Sequence, residues 1–535
     1  MDKHLKTGLI HLDVQYKNSK QNLQTLLELN EKAAAQGHRI IVNTELGISG
    51  YSFESFDEIA PHAEPDNGPT MTGLQAIAKR YGAFICLGFA ERDRKTGVFY
   101  NSALVIDPAG KIVCRYNKIN AETRWACPGD GVQDNIFQTP WGTVGVLICS
   151  DTYHGLIPRQ TALKGADLII APANWPRGGI DPGELWRVRA MENGIYMVVC
   201  NRGGKDRTMS CHDAPSCAFD PHGRCLLEQS SSTSATMTVD IPLKNGRLEQ
   251  AKRLEQLGQR HPERYRPIYL DMRHVTYDGG DYTDYYDMAK PGPYHISCHT
   301  SIGNIDEITD IVRGTHPQAR NYDQIMGQTI DGEKINLGVF VFPELASQEH
   351  AMAIVPVLKR QIEGSKKAVC LGFKDEQKKS RQIFIAPDGM VYHHGNNWAK
   401  DPTDKSNSLP GRNRHRTILD IGPIRAGICN ADELIHPEVA VAHAKLGCDL
   451  LITSAGKIEP SLQTMAAAKT LERITIAVAA HNLGFICQPP ESHARWQETL
   501  AVSPGVCRQL LNSNDTRSKH FQDRVDFKTL LQTSS

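Results

Sequence analysis

Short apolar runs alternate with amphipathic stretches over the first 270 residues. Residues 5–14 have the density of Leu, Ile and Val that predicts a strand. The period then changes: Leu23, Leu26, Leu27 and Leu29 through Ala33 to Ala35 make a helical stripe, with Ser19 read as its N-cap and Gly37 as its stop. Ile40-Ile41-Val42 predicts the next strand. Further strands are expected near 84–89, 102–106, 111–116, 144–148, 168–171 and 197–200, with helices around 75–81 and 182–193. Such alternation predicts an α/β protein with buried central sheets.

The pattern breaks between 271 and 293, where Gly279-Gly280, Pro291 and tyrosines 277, 282, 285 and 286 suggest a linker that packs against something. Beyond it the first half recurs. Cys86-Leu87-Gly88-Phe89 is echoed by Cys370-Leu371-Gly372-Phe373, Pro108-Ala109-Gly110 by Pro387-Asp388-Gly389, and Gly145-Val146-Leu147-Ile148-Cys149 by Arg425-Ala426-Gly427-Ile428-Cys429. Asp167-Leu168-Ile169-Ile170 is answered by Asp449-Leu450-Leu451-Ile452. Offsets this uniform indicate a tandem duplication of a whole domain. The expected organisation is a first domain over 1–272, a linker over 273–293 and a second domain over 294–535.

Composition narrows the function. A chain of 535 residues is too long for one ordinary core. Lys plus Arg and Asp plus Glu number 60 each, so overall charge favours neither nucleic acid nor an anionic membrane, and a small-molecule partner is expected. Apolar runs such as 144–149 fall far short of the roughly 20 residues of a bilayer span. The opening Met1 to Lys6 lacks the apolar core of a secretory signal, which predicts a cytoplasmic protein. The 14 cysteines are scattered without a Cys-x-x-Cys pair, so reduced thiols are expected. Cys211, His212, Cys217, His222 and Cys225 match no common metal spacing, and neither metal nor cofactor is expected.

Four residues could carry chemistry, though each alone also admits a structural role. Cys149 ends an apolar strand, where α/β sheets tend to hold their sites, yet cysteine is often a small core hydrophobe. Glu45 follows a strand in a glycine-containing loop, and Lys118 and Glu122 stand four apart before Pro128-Gly129-Asp130. Together, Glu45-Leu46 with Gly50-Tyr51, Lys118 with Glu122 and Pro128-Gly129-Asp130, and Cys149-Ser150-Asp151 resemble the nitrilase, or carbon-nitrogen hydrolase, superfamily. Gly165-Ala166-Asp167, Pro172 to Trp175, Arg189 to Asn193 and Arg266-Pro267-Ile268-Tyr269 extend the likeness over residues 7–270.

The resemblance implies a four-layer α-β-β-α sandwich and a Glu-Lys-Cys triad with a second Glu near the Lys. Glu45 would take the thiol proton, Cys149 would attack a carbonyl, Lys118 would hold the oxyanion, and Glu122 would orient Lys118 or the substrate nitrogen. In this family Ser150-Asp151 after the cysteine favours an amide or N-carbamoyl substrate over a nitrile. Trp175 is a candidate pocket wall, Arg177, Arg187 or Arg189 is a candidate carboxylate anchor, and Ser150 is a further candidate contact. No Gly-rich phosphate loop suggests an ATP-dependent role.

In the second copy Glu344 and Cys429 stand where Glu45 and Cys149 would. Counting forward from Gly389 puts Asn397 at the lysine position; counting back from Pro410-Gly411 puts Lys400 there, with Asp404 for Glu122. Two residues are inserted after Cys429, so a degenerate second domain is expected, pairing with the first as an intramolecular pseudo-dimer, with a higher homo-oligomer also open. Nitrile hydrolysis, or a ligand-binding or scaffolding protein that keeps only the fold, are the alternatives.

Overall fold

The computed structural model describes residues 3–178, 180–273, 275, 282–300, 302, 304–319, 322–395, 417–490, 500–502 and 504–533. The first half forms strands β1 (His4–His11), β2 (Ile40–Asn43), β3 (Phe84–Arg92), β4 (Phe99–Ile106), β5 (Ile112–Asn117), β6 (Ile136–Thr139), β7 (Gly142–Val146), β8 (Leu168–Pro172), β9 (Tyr196–Cys200), β10 (Ser216–Phe219), β11 (Cys225–Gln229) and β12 (Ala235–Pro242). They build two six-stranded sheets, ordered β12-β1-β2-β3-β4-β5 and β11-β10-β9-β8-β7-β6. Strands β1, β2 and β3 run parallel, as do β7, β8 and β9, which is why the intervening chain must cross over as helix.

Helices α1 (Ser19–Ala35) and α2 (Pro69–Tyr81) bury Leu26, Ala33, Leu74 and Ala78 against the outer face of the first sheet. Helices α3 (Leu156–Leu163) and α4 (Pro182–Asn193) pack on the second sheet, and the inner faces meet where β2 and β3 contact β8. The result is the expected α-β-β-α sandwich. Helix α1 corrects one detail: Asn18, not Ser19, is its cap, accepting from the Gln21 N–H, while the Ser19 hydroxyl is hydrogen-bonded with His62 Nδ1.

The second half repeats the plan. Its strands are β13 (Pro293–His299), β14 (Gly338–Leu345), β15 (Lys367–Lys374), β16 (Ser380–Ile385), β17 (Val391–His394), β18 (Thr417–Ile421), β19 (Ile424–Ile428), β20 (Leu450–Ser454), β21 (Thr475–Ala479), β22 (Gly484–Cys487), β23 (Leu500–Val502) and β24 (Val506–Asn512). Apart from a two-stranded hairpin at 329–334, they form sheets ordered β17-β16-β15-β14-β13-β24 and β18-β19-β20-β21-β22-β23. Each strand sits where the strand numbered twelve lower sits in the first half. Ile296, Val339 and Cys370 share one core with Ile428, Ile452 and Ala477, joining the two sheets. Helices α5 (Ile305–Arg313) and α6 (Gln348–Ile362) bury Ile308, Ile311, Ala351 and Ile354 on the first of these sheets.

Packing divides the chain into residues 1–260 with 522–535, and residues 261–521. These units depart from the expected boundaries at 272 and 294. Arg264 pairs with Glu433, and Lys445 Nζ donates to the Ile268 and Leu270 carbonyls, so 261–270 belongs with the second unit. Of the linker tyrosines, Tyr282 is buried and Tyr286 donates to the Lys445 carbonyl; Tyr277 lies outside the described residues. Among the described residues no helix is long and apolar enough to cross a membrane.

Candidate active site

Glu45 lies just past the end of β2, in a turn where Leu46 takes φ 48°. Its backbone runs so close to β3 that a Cβ on Gly88 would lie 2.8 Å from Glu45 Cα, which makes glycine the residue that fits there. Thr44 Oγ1 donates to the Ala173 carbonyl at 2.7 Å and ties the same turn to the second sheet. Lys118 follows β5, and Glu122 lies four residues on. Cys149 follows β7 with φ 41°, a left-handed conformation that costs a non-glycine residue free energy and is found at sites where a side chain must be aimed.

The three charged groups form one buried cluster. Lys118 Nζ lies 2.7 Å from Glu45 Oε1 and 2.6 Å from Glu122 Oε1. Asn101 Nδ2 bridges the same acids, donating to Glu45 Oε1 at 2.8 Å and Glu122 Oε2 at 2.9 Å. Tyr51 O–H donates to Glu122 Oε1 at 2.6 Å. Glu45 Oε2 is buried and has no hydrogen-bond partner. A carboxylate oxygen is not left bare in a protein interior without cost, so this atom marks where a proton or a ligand belongs.

Burial raises the Glu45 carboxyl, and the Lys118 charge only partly opposes it. Burial also pushes on Glu122, but the Lys118 charge and the hydrogen bonds from Lys118, Tyr51 and Asn101 outweigh it and hold that carboxyl below its usual range. Lys118 is disfavoured as a cation by burial, yet Glu122 and Glu45 more than compensate and lift it well above an ordinary lysine. Burial raises the Cys149 thiol strongly, with Glu45 adding to the rise; Lys118 and a hydrogen bond with the Asn174 backbone oppose it without reversing it. The resting state is therefore an ammonium paired with an ionised Glu122, next to a neutral thiol and a second carboxyl whose affinity for a proton is raised.

The flanking candidates divide. Asp151 is fully buried and accepts from Tyr116 O–H at 2.7 Å, Asn120 N at 2.7 Å and Ile119 N at 3.1 Å, so it ties the Cys149 turn to the Lys118 loop. Burial pushes its pKa up to about 6. Ser150 joins the same tie, its hydroxyl donating to the Asn120 carbonyl at 3.3 Å. Arg189 is buried, pairs with Glu192 at 2.5 Å and donates to the Thr152 and Tyr153 carbonyls, which braces the chain after Cys149. Arg177 is exposed and pairs with Glu228. Trp175 is half-buried, stacked on Tyr153 with ring centres 6.1 Å apart. The sequence assigns no role to Asn101 or Tyr51; Asn101 lies one residue before the strand predicted at 102–106, and β4 in fact begins at Phe99 and includes it.

The second unit brings together a different set. Lys400, Asp404 and Asn397 lie outside the described residues. Glu344 lies within β14, its Oε2 3.6 Å from Lys374 Nζ, and Cys429 is buried with its Sγ 3.3 Å from Thr453 Oγ1. Cys149 and Leu46 both have positive φ; Cys429 and Leu345 do not. Strand register identifies the replacements. Ala90 pairs with Asn101 and Lys374 with Ser380, so Ser380 holds the place of Asn101. Ala103 pairs with Tyr116 and Gln382 with His394, so His394 holds the place of Tyr116, facing Glu433 at 3.3 Å. Among the described residues no group of three or more His, Cys, Asp or Glu is placed so that it could hold a metal ion.

Residues 7–249 match the family model described as carbon-nitrogen hydrolase. A protein of Pyrococcus abyssi described as a nitrilase is 34% identical over 212 residues, covering 38% of this chain and 77% of that protein. An omega-amidase of Xenopus tropicalis is 25% identical over 237 residues, covering 42% and 83% respectively. The solved carbon-nitrogen hydrolase of Helicobacter pylori G27 superposes with TM-score 0.44 at 20% identity, over 50% of this chain and 98% of that one.

Proposed function

We propose that this chain, which belongs to the carbon-nitrogen hydrolase family of the nitrilase superfamily, hydrolyses a non-peptide amide or N-carbamoyl bond at Cys149 through a thioester. The observation that carries the reading is Glu45, whose Oε1 is held by Lys118 and Asn101 while Oε2 stays buried and unpartnered. One oxygen is fixed and the other is available to a proton. Glu45 Oε2 takes the thiol proton as Cys149 Sγ bonds to the carbonyl carbon, and the C=O electron pair moves onto oxygen.

A lysine ammonium has three donors, and two are engaged with the carboxylates, so the third serves the oxyanion together with the Ser150 backbone N–H. When the intermediate collapses, the C–N bond breaks, Glu45 returns the proton to the nitrogen, and ammonia or an amine leaves. Glu45 then deprotonates a water that attacks the thioester; the S–C bond breaks and the thiol is restored. Glu122 stays ionised throughout as the counter-charge that keeps Lys118 in place. The amidase among the similar proteins supports the amide class, and the nitrilase among them keeps nitriles as the second substrate class.

The second unit is proposed to lack this chemistry, because the places of Asn101 and Tyr116 are taken by Ser380 and His394 and neither strained turn recurs. The test is a panel of amides, carbamoyl amino acids and nitriles scored for ammonia release by the whole chain and by Cys149→Ala. Turnover by the whole chain that Cys149→Ala abolishes is expected; turnover unchanged in the variant would remove the assignment.

A further inference from the structure

The last described residues of the chain pack on the first unit, and what they touch is the frame of the Cys149 site. Gln522 Nε2 donates to Asn120 Oδ1. Asn120 is two residues from Lys118, its N–H donates to Asp151 Oδ1 at 2.7 Å, and its Nδ2 donates to the Ser150 carbonyl at 3.2 Å. A second anchor lies further along the same loop: a Cβ on Gly131 would come within 2.6 Å of the Arg524 and Val525 backbone, so glycine lets the tail lie directly on the turn after Pro128. A third is Asp526 N–H, which donates at 2.7 Å to Gln160 Oε1 on α3, while Gln160 Nε2 donates at 3.0 Å to the Gly131 carbonyl.

The tail is built to stay there. Val525 and Leu530 are buried, Asp526 caps the turn Phe527–Leu531 through Thr529, and Arg260 donates to the Leu530 carbonyl. These contacts fasten the segment that carries Lys118 and Glu122 and the helix that follows Cys149.

We infer that residues 522–531 are a positioning element for the Cys149 site: Gln522, through Asn120, holds Lys118 and the Cys149–Asp151 turn in register, although it comes from the far end of the sequence. This rests on the functional reading above. Neither Gln522 nor the tail touches a reacting atom, so the expected loss is in kcat rather than KM.

The experiment uses the full chain, Gln522→Ala and Gly131→Ala, the second displacing the tail from the second of its anchors by the Cβ clash. Two readouts are taken. One is hydrogen exchange of the backbone amides of 117–131; the other is kcat and KM for ammonia release on whichever amide the whole chain turns over. Both variants are expected to speed exchange in 117–131 and to lower kcat about tenfold with KM within about twofold, Gln522→Ala at an unchanged unfolding midpoint. Unchanged exchange together with unchanged kcat overturns the inference, as does a loss confined to KM. If the whole chain turns over no amide, the functional reading fails, and the exchange arm alone decides whether the tail fastens the loop.

Discussion

Glu122→Gln separates the counter-charge role of Glu122 from that of a second base. The side chain keeps its volume, but its negative charge is removed from a cluster in which Glu122 raises the proton affinity of Glu45. Both acids contact one ammonium, at 2.7 and 2.6 Å, so the two carboxylates are within about 5 Å of each other. At an effective dielectric near 20, two like charges at that separation repel by roughly 3 kcal/mol. An acid beside another negative charge is raised, and removing that charge lowers it, so the rising limb of activity with pH should move to lower pH. Relaxation around Lys118 makes the displacement smaller than the bare repulsion implies.

The maximum rate should fall as well, because Glu45 becomes a weaker base and a Gln amide cannot accept from both Lys118 and Asn101. One buried donor then goes unsatisfied, at about 1–3 kcal/mol. The assay is the pseudo-first-order rate of Cys149 alkylation by iodoacetamide from pH 5 to 9, read by intact mass, which needs no knowledge of the substrate. A limb that stays in place, or moves to higher pH, refutes the counter-charge role.

Lys118→Ala should lower ammonia release by on the order of a hundredfold or more, since on the proposed reading it removes the oxyanion donor, and it should destabilise the fold by about 3–5 kcal/mol by stranding two buried carboxylates; kinetics and urea midpoints check both. Asp151, raised by burial to about 6, binds its proton more tightly folded than unfolded, so its contribution to stability falls as pH rises from about 4 to 6 and is flat above. Asp151→Asn should lack that slope, and urea midpoints at pH 4 and pH 6.5 that change equally in both proteins would contradict it. Cys429→Ser should keep the acyl adduct and the turnover of the whole chain whereas Cys149→Ser loses both; an adduct found on Cys429 would give the chain a second working site.

The fold was legible because hydrophobic period reports burial. The runs at 84–89, 144–148 and 168–171 became β3, β7 and β8, largely buried along their length and reading as near-continuous apolar stretches with little polar alternation. The repeated strand order was foreshadowed by the near-constant offsets. Glu45, Lys118 and Glu122 met because motif order carried them, not because any local signal placed them together. What the sequence withheld was long-range pairing. Arg177 and Arg189 have the same charge and type, yet one pairs with Glu228 at the surface and the other with Glu192 in the interior. Nothing local distinguishes an arginine that anchors a ligand from one that holds a turn. The tail at 522–531 was equally invisible, since its partners Asn120, Gly131 and Gln160 are some 400 residues away along the chain.

The two units show which determinants specify the sandwich and which specify the site. Gly88 and Gly372 both sit where the glutamate-bearing segment crosses the strand beside it: a Cβ would come within 2.8 Å of Glu45 in one unit and of Glu344 in the other. That demand is one of packing, and both units meet it. The demands of a buried charge cluster are separate and less forgiving. Every carboxylate oxygen needs a donor or a proton, and Asn101 supplies donors to two acids at once. With Ser380 in that place, the arrangement cannot be reproduced even though Glu344 and Cys429 remain. Exchanging Tyr116 for His394 replaces a phenol that donates to Asp151 with an imidazole facing Glu433. On the proposed reading that the second unit lacks this chemistry, matching the first site would call for an amide donor at 380, a phenol at 394, and a turn that carries Cys429 into positive φ. A Ser380→Asn, His394→Tyr variant that gained Cys429 alkylation at the rate of Cys149 would show that the turn contributes little, whereas no gain is expected while Cys429 keeps its relaxed backbone.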